Sequence, residues 1–281
     1  MRGRNLYRQP EPGSIVDLQH ELGNGCVGWW EMNVGSGLVV PDISGNNNHG
    51  TMTNMDAATD WVPGEDGGEW ALDFAFVNQY IDIFGSFDGY PAITFGVWVN
   101  VSSTNERTSL IDKYWDGVNR SWYLVIQTVN ANTYKIEASV STDTSAAAAA
   151  TLGAIQLPTS SWHLLAATWD SADETIRLYV DGVADATRGN TGNTVRANTN
   201  TVHIGSGQGI GNSTDGYFGQ GFIYSRALDA EQIAHLYAEP YAPIWQPGER
   251  SFWYFSMAVG GLPLIGGRTL GRIGPSMAGV R

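Results

Sequence analysis

The chain has 281 residues, 35 of them glycine, with 11% aromatic and 15% charged side chains, a balance that suits short strands joined by turns and excludes a helical bundle or a disordered chain. Its net charge of −13 is unevenly placed: three Arg and no acid occupy residues 1–8, four Arg and no acid occupy residues 250–281, and eight basic groups face all 28 acids between them. An acidic body of this kind repels nucleic acid, and basic ends suit an acidic neighbour.

The single cysteine, Cys26, excludes an intramolecular disulfide framework and reads as a small apolar core residue. No run of about 18 apolar residues is present to span a membrane. The basic start, MRGRNLYRQPEPG, is not followed by the apolar stretch of a signal peptide.

Residues 1–24 hold Pro10, Pro12, Gly13 and Gly23 with little periodicity, and read as an extended arm. A first strand is expected over 26–32 (CVGWWEM), followed by the turn-rich stretch 41–50 (PDISGNNNHG). There Asp42 and Ser44 can hold backbone amides, while Gly45, Gly50 and the asparagines tolerate left-handed φ. Asp42, Asn46 and Asn48, joined by Asp215 from a Ser-Thr-Asp-Gly loop, also form a candidate calcium set, because calcium takes clustered oxygens. Residues 61–68 (WVPGEDGG) read as a loop whose acids, Glu65 and Asp66 with the adjoining Glu69, are solvated.

Strands are expected over 70–76, 79–84, 93–101, 109–114, 121–129 and 134–141, several with clean alternation such as Ile93, Phe95, Val97, Val99 and Val101. The alanines 146–150 favour helix in isolation, but their Thr and Ser flanks and the following Pro158 point to strand or loop. Residues 162–183 (WHLLAATWDSADETIRLYVDGV) read as two central strands anchored by Trp162 and Trp169. Ile176, Leu178 and Val180 then face the core, and Arg177, Tyr179 and Asp181 face water. Asp181-Gly182 makes the tight turn that follows.

Residues 187–200 read as a long polar loop, 201–205 and 217–224 as strands, and 229–237 (DAEQIAHLY) as a helix. Asp229 caps that helix with Gln232 three residues on, and Ile233, Leu236 and Tyr237 share a face. Residues 241–281 read as an appended strand and a basic, Gly-rich tail. Its Trp245, Phe252, Trp253, Tyr254 and Phe255, with Arg250, carry too much apolar surface to stay uncovered on a monomer, so an assembly contact is expected here.

No chemistry-bearing motif emerges. Glycosidases need two carboxylates about 5–9 Å apart, and no alternating Glu-x-Asp-x-x-Glu set lies on any strand. A Gly-x-Ser-x-Gly elbow is missing, GGLPLIGGRT (260–269) lacks the Lys and spacing of a phosphate loop, and the five histidines are scattered. For ligand binding, Trp115 and Tyr217 are the aromatic candidates on which a glycan would stack.

The succession DISGNNNHG, TFGVWVNV, WHLLAATWD, IRLYVDGV, HIGSG and GYFGQGFIYSRALDAEQIAHLY resembles the laminin-G-like, concanavalin-A-like jelly rolls over residues 25–240. The resemblance implies two packed antiparallel sheets, usually in a non-enzymatic recognition or structural module, often with calcium at a rim. Where relatives carry an acidic pair, this chain reads Asp73-Phe74-Ala75-Phe76-Val77-Asn78-Gln79-Tyr80 and lacks it. Both flanks resemble those of laminin-G-like virion proteins of tailed bacteriophages. The expectation is therefore an all-β sandwich between an arm (1–24) and an assembly tail (241–281). It would serve without catalysis as a capsid decoration or fibre-like tail protein on the virion surface, made in the host cytoplasm. A homo-oligomer, a trimer among the options, or capsid and tail proteins would be its partners. The alternative is a lectin-like adhesion module for host glycans. Calcium is the one cofactor the sequence allows.

Overall fold

Alternation along the chain becomes two stacked sheets in the computed structural model, which describes residues 9–64, 70–75, 78–104, 107–114, 120–143, 145–207 and 213–245. In order, the elements are β1 (Ile15–Val16), β2 (Cys26–Glu31), β3 (Val39–Val40), β4 (Gly50–Thr53), β5 (Trp61–Pro63), β6 (Trp70–Phe74) and β7 (Tyr80–Ile83). Next come β8 (Ala92–Ser103), β9 (Arg107–Tyr114), β10 (Arg120–Asn130), β11 (Thr133–Thr142), β12 (Ser145–Leu152), β13 (Leu157–Pro158) and β14 (Trp162–Asp170). The last are β15 (Thr175–Val180), β16 (Val183–Gly189), β17 (Val202–Ile204), β18 (Asp215–Tyr224), α1 (Ala230–Ala238) and β19 (Ile244–Trp245). No helix among the described residues is long and apolar enough to cross a membrane.

One sheet has nine strands, in the order β12-β11-β10-β9-β17-β7-β4-β3 with β13 also on β11. The other has eight, β16-β15-β14-β8-β18-β6-β5, with β2 also on β18. Among the described residues the strands pair antiparallel throughout, including the β1–β19 ribbon that joins the two ends of the described chain. Between the sheets lies the main core, in which Phe95, Val97 and Val99 from β8 and Leu178 from β15 meet Trp122, Leu124 and Ile136 of the opposite sheet. The stacked rings of Phe95 and Trp122, 4.6 Å between centroids, bridge the two layers.

A second core covers part of the outer face of the eight-stranded sheet. Trp29, Leu164, Tyr179, Phe222 and Tyr224 point outward from that sheet and are buried beneath Ile233 and Leu236 of α1, Leu22 and Ile244. Tyr179, expected in water, is 2% exposed for this reason. The helix forms as its sequence dictates: Asp229 Oδ1 accepts from Gln232 N (2.8 Å), and the Gln232 side chain accepts from Asp229 N. Arg226 ties the assembly together, donating to Asn24 O and Glu21 O (both 2.7 Å) and to Gln232 Oε1 (2.8 Å). Of the expected arm, residues 9–24 are described; Val16 and Leu22 fill this second core, and Tyr224 donates to Leu22 O at 2.6 Å.

Several expectations need correction. Trp169 is a core anchor, but Trp162 lies on the outer face, since residues seven apart on one strand point to opposite sides. Trp61–Pro63 pairs with β6 instead of staying in a loop, and the acids at 65, 66 and 69 lie outside the described residues. Val183–Gly189 forms an edge strand that the polar composition disguised. The turn before it has φ of 49° at Asp181 and 79° at Gly182, which favours a primed hairpin turn. The rest of the presumed loop is pinned where it crosses between sheets: Val195 is core, Asn190 donates to Val140 O, and Asp143 accepts from Asn193 N. Buried Lys113 secures the crossing too, pairing with Asp88 (3.1 Å) and donating to Asn200 O (2.5 Å) and Asn198 Oδ1 (2.9 Å).

The facing of β15 is testable. Leu178→Ala removes a fully buried side chain and is expected to lower stability by about 2–5 kcal/mol. Arg177→Ala, which breaks only an exposed pair with Asp173, is expected to change it by less than about 0.5 kcal/mol. Chemical denaturation of both variants reads the difference, and equal effects would mean that the facing is wrong.

Candidate functional site

The turn at 41–50 folds around one carboxylate. Asp42 Oδ1 accepts from Trp29 N (3.0 Å) and Ser44 N (2.9 Å), and Oδ2 accepts from Asn48 N (2.9 Å). Asn46 and Asn48 turn their amide groups to donate to Val27 O at 3.3 and 3.2 Å. Asp215 lies elsewhere, at the start of β18, where it accepts from Ser103 Oγ at 2.5 Å. Asp42 thus organises backbone, and among the described residues no three His, Cys, Asp or Glu side chains form a metal-holding group.

Sheet pairing builds a polar row that no single strand reveals. On the outer face of the nine-stranded sheet, Asp82 of β7 stands opposite His203 of β17, which stands opposite Asp112 of β9, which stands opposite Tyr123 of β10. His203 Nε2 is 3.4 Å from Asp82 Oδ1, and its ring stacks on Tyr80 at 4.1 Å. Burial pushes the imidazole below its ordinary range, opposed by Asp82. Tyr123 donates to Glu137 Oε1 (2.8 Å), which also receives Arg107, whose guanidinium lies 4.7 Å from the Tyr123 ring centre. Two carboxylates two strands apart invite a comparison with hydrolases. Here an imidazole stands between them where an inverting enzyme keeps room for water. Asp112 is also fully buried and accepts from Ser109 Oγ.

A second row crosses the outer face of the other sheet, beyond the part covered by α1. Asp73 of β6, Tyr217 of β18, Asn100 of β8 and Trp162 of β14 stand opposite one another in turn. All four are half-buried. Trp98 lies one pair away and stacks on Tyr237, 5.6 Å between centroids at 15°. Burial, reinforced by Asp60 and Asp215, raises the Asp73 carboxyl above its usual range. The fold therefore brings Tyr217 beside Asp73, Asn100 and Trp162, none of which the sequence singled out as ligand-binding. For Asp73 and Asn100 the signal is positional, an outward slot between inward Leu72 and Phe74 or Val99 and Val101; Trp162, between Ser161 and His163, carries no such signal.

The remaining expected site residues are not placed by side chain. Trp115 lies outside the described residues, as do Arg250, Phe252, Trp253, Tyr254 and Phe255. Trp245 is placed by its backbone alone, opposite Ile15.

The profile of the Laminin_G_3 family, the concanavalin A-like lectin/glucanases superfamily, matches residues 78–234. The chain belongs to this superfamily. No curated protein matches it in sequence. Among solved structures it is similar to the binding domain of Paraclostridial Mosquitocidal Protein 1, with a TM-score of 0.58 and 15% identity over 79% of this chain and 54% of that one. The binding domain of botulinum neurotoxin serotype D gives 0.56 and 13% over 78% and 53%. Domain 4 of AbnA, an extracellular arabinanase from Geobacillus stearothermophilus solved with arabinotriose, gives 0.54 and 18% over 75% and 97%. The chain spans about half the length of the two toxin binding domains, and at these identities the likeness is one of fold: a jelly roll of two antiparallel sheets.

Three measurements check these assignments. Asp42→Ala is expected to cost about 1–3 kcal/mol by stripping three amides of their acceptor. Excess chelator is expected to leave the melting temperature of the wild type unchanged; a chelator-sensitive Tm with metal found by elemental analysis would place calcium in the fold. Incubation with β-glucans, alginates and galactans is expected to release no reducing ends. Release that vanishes in Asp82→Ala would make the polar row catalytic.

Proposed function

We propose that the protein is a non-enzymatic component of an assembled particle, a bacteriophage-type virion surface, held by its chain ends with the jelly roll outward. The observation that carries this reading is the β1–β19 ribbon. Ile15 pairs with Trp245 and Val16 with Ile244, so the segments leading to both basic extensions are joined. Ile15 and Leu18 are exposed beside this ribbon, at 52% and 46%. Arg-rich, acid-free ends on an acidic body favour an acidic neighbour, and the aromatics of 245–255 favour burial against a second chain. Another copy, in a trimer or other closed ring, or a capsid or tail protein meets both demands. A second reading, glycan recognition, is favoured by the half-exposed aromatics Trp162 and Tyr217 on one sheet face.

The test is truncation after Trp245, a cut that spares Ala242 and Ile244 of the second core. The shortened chain is expected to melt within a few degrees of the full chain, yet to run as a monomer and fail to join purified particles. Assembly at full-length occupancy would overturn the reading.

A further inference from the structure

We infer that the row Asp73–Tyr217–Asn100–Trp162 is a binding site for a neutral oligosaccharide lying across the strands, an inference that deepens the glycan-recognition reading and rests on it. Four adjacent strands set the four side chains in register over about 14 Å, the length of a short oligosaccharide. Along the row a carboxylate, a phenol ring, an amide and an indole alternate stacking surface with hydrogen-bonding group, the combination that sugar rings and their hydroxyls require.

The ring positions are built in. A β-bulge in β18 between Phe218 and Gln220 places Gly219 under Trp162: a Cβ there would lie 3.3 Å from the six-membered ring of Trp162 and 3.8 Å from Trp98 Cβ. The indole is therefore backed by main chain while it stays half-exposed, and Trp98, also beside Gly219, is braced by Tyr237. Such backing fixes a ring before any ligand arrives, so little ordering is left for binding to supply.

Two polar atoms of this patch are unmet. Asn100 Oδ1 and the Trp98 indole nitrogen are shielded from solvent and have no hydrogen-bond partner. A turn of the Asn100 amide toward a hydroxyl seated between Tyr217 and Trp162 would supply the missing bond with both rings left in place. The charge of the neighbourhood selects among glycans. Asp60 and Asp215 both lie close enough to act on the Asp73 carboxyl at this edge of the sheet, so uronic and sulfated sugars are repelled and neutral ones admitted.

Calorimetric titration of the full chain with neutral β-glucan, galactan and arabinan oligosaccharides tests this, with alginate oligosaccharide as the anionic arm. At least one neutral series is expected to bind, and alginate to bind at least tenfold more weakly. Trp162→Ala and Tyr217→Ala are each expected to weaken binding at least tenfold, whereas Trp162→Tyr and Tyr217→Phe, which keep a ring, retain most of it. Undiminished binding in a folded Trp162→Ala/Tyr217→Ala double variant would overturn the row and leave glycan recognition to another part of the domain. No binding by any neutral series would overturn both.

Discussion

Burial of both faces of the eight-stranded sheet is the constraint on which the rest of the structure depends. Most antiparallel sheets of a sandwich give one face to the core and one to water. Here β14 turns Leu165, Ala167 and Trp169 toward the main core while Leu164 and Ala166 enter the second. β18 does the same with Phe218 and Ile223 against Phe222 and Tyr224. An outward apolar row of this size needs a cover. Helix α1, the segment around Leu22 and the residues up to Ile244 supply it, which is why segments flanking the jelly roll belong to the fold.

That cover depends on a few polar ties placed at its seams. Arg226 reaches backbone carbonyls of Asn24 and Glu21 and the side chain of Gln232, joining the N-terminal segment to the helix through one guanidinium. Thr94 accepts from Leu228 N and donates to Arg226 O, fixing the chain between strand and helix. At the opposite side of the sandwich, Arg188 donates to Ala150 O and Asp185 accepts from Ala154 N and Ile155 N. These contacts bring the outer edges of β12 and β16 together and occupy backbone groups that an edge strand leaves available to other chains.

Where the cover stops, the sheet face changes character, and the proposed glycan row follows from that boundary. Beyond the reach of α1 the outward slots hold Asp73, Tyr217, Asn100 and Trp162 in place of aliphatic residues. On the other sheet the outward slots hold a carboxylate–imidazole–carboxylate row in which His203 meets Asp82 and Asp112 accepts from Ser109. One face leaves half-buried aromatic and polar side chains at its surface, and the other pairs its polar side chains within the chain. The β1–β19 ribbon joins the segments through which the protein is proposed to be attached.

Much of this was determined by the sequence alone. Alternation and short apolar runs located the strands β8, β10, β11, β14, β15 and β18, and Asp229 with Gln232 located α1, because both signals act over a few residues and need no partner to be read. Asp181-Gly182 announced its turn for the same reason. The short strands β3, β4, β5 and β16 escaped, since two to seven residues of mixed composition become strand only when a neighbour offers its ladder. Tyr179 and Trp162 show what tertiary structure decided. Alternation sorts residues into two faces, but which face is covered depends on whether a helix far along the chain packs over it. The same holds for the candidate sites: Asp82, His203 and Asp112, or Asp73, Tyr217, Asn100 and Trp162, are distant in sequence and meet only because strand order and register are set by the closing of both cores.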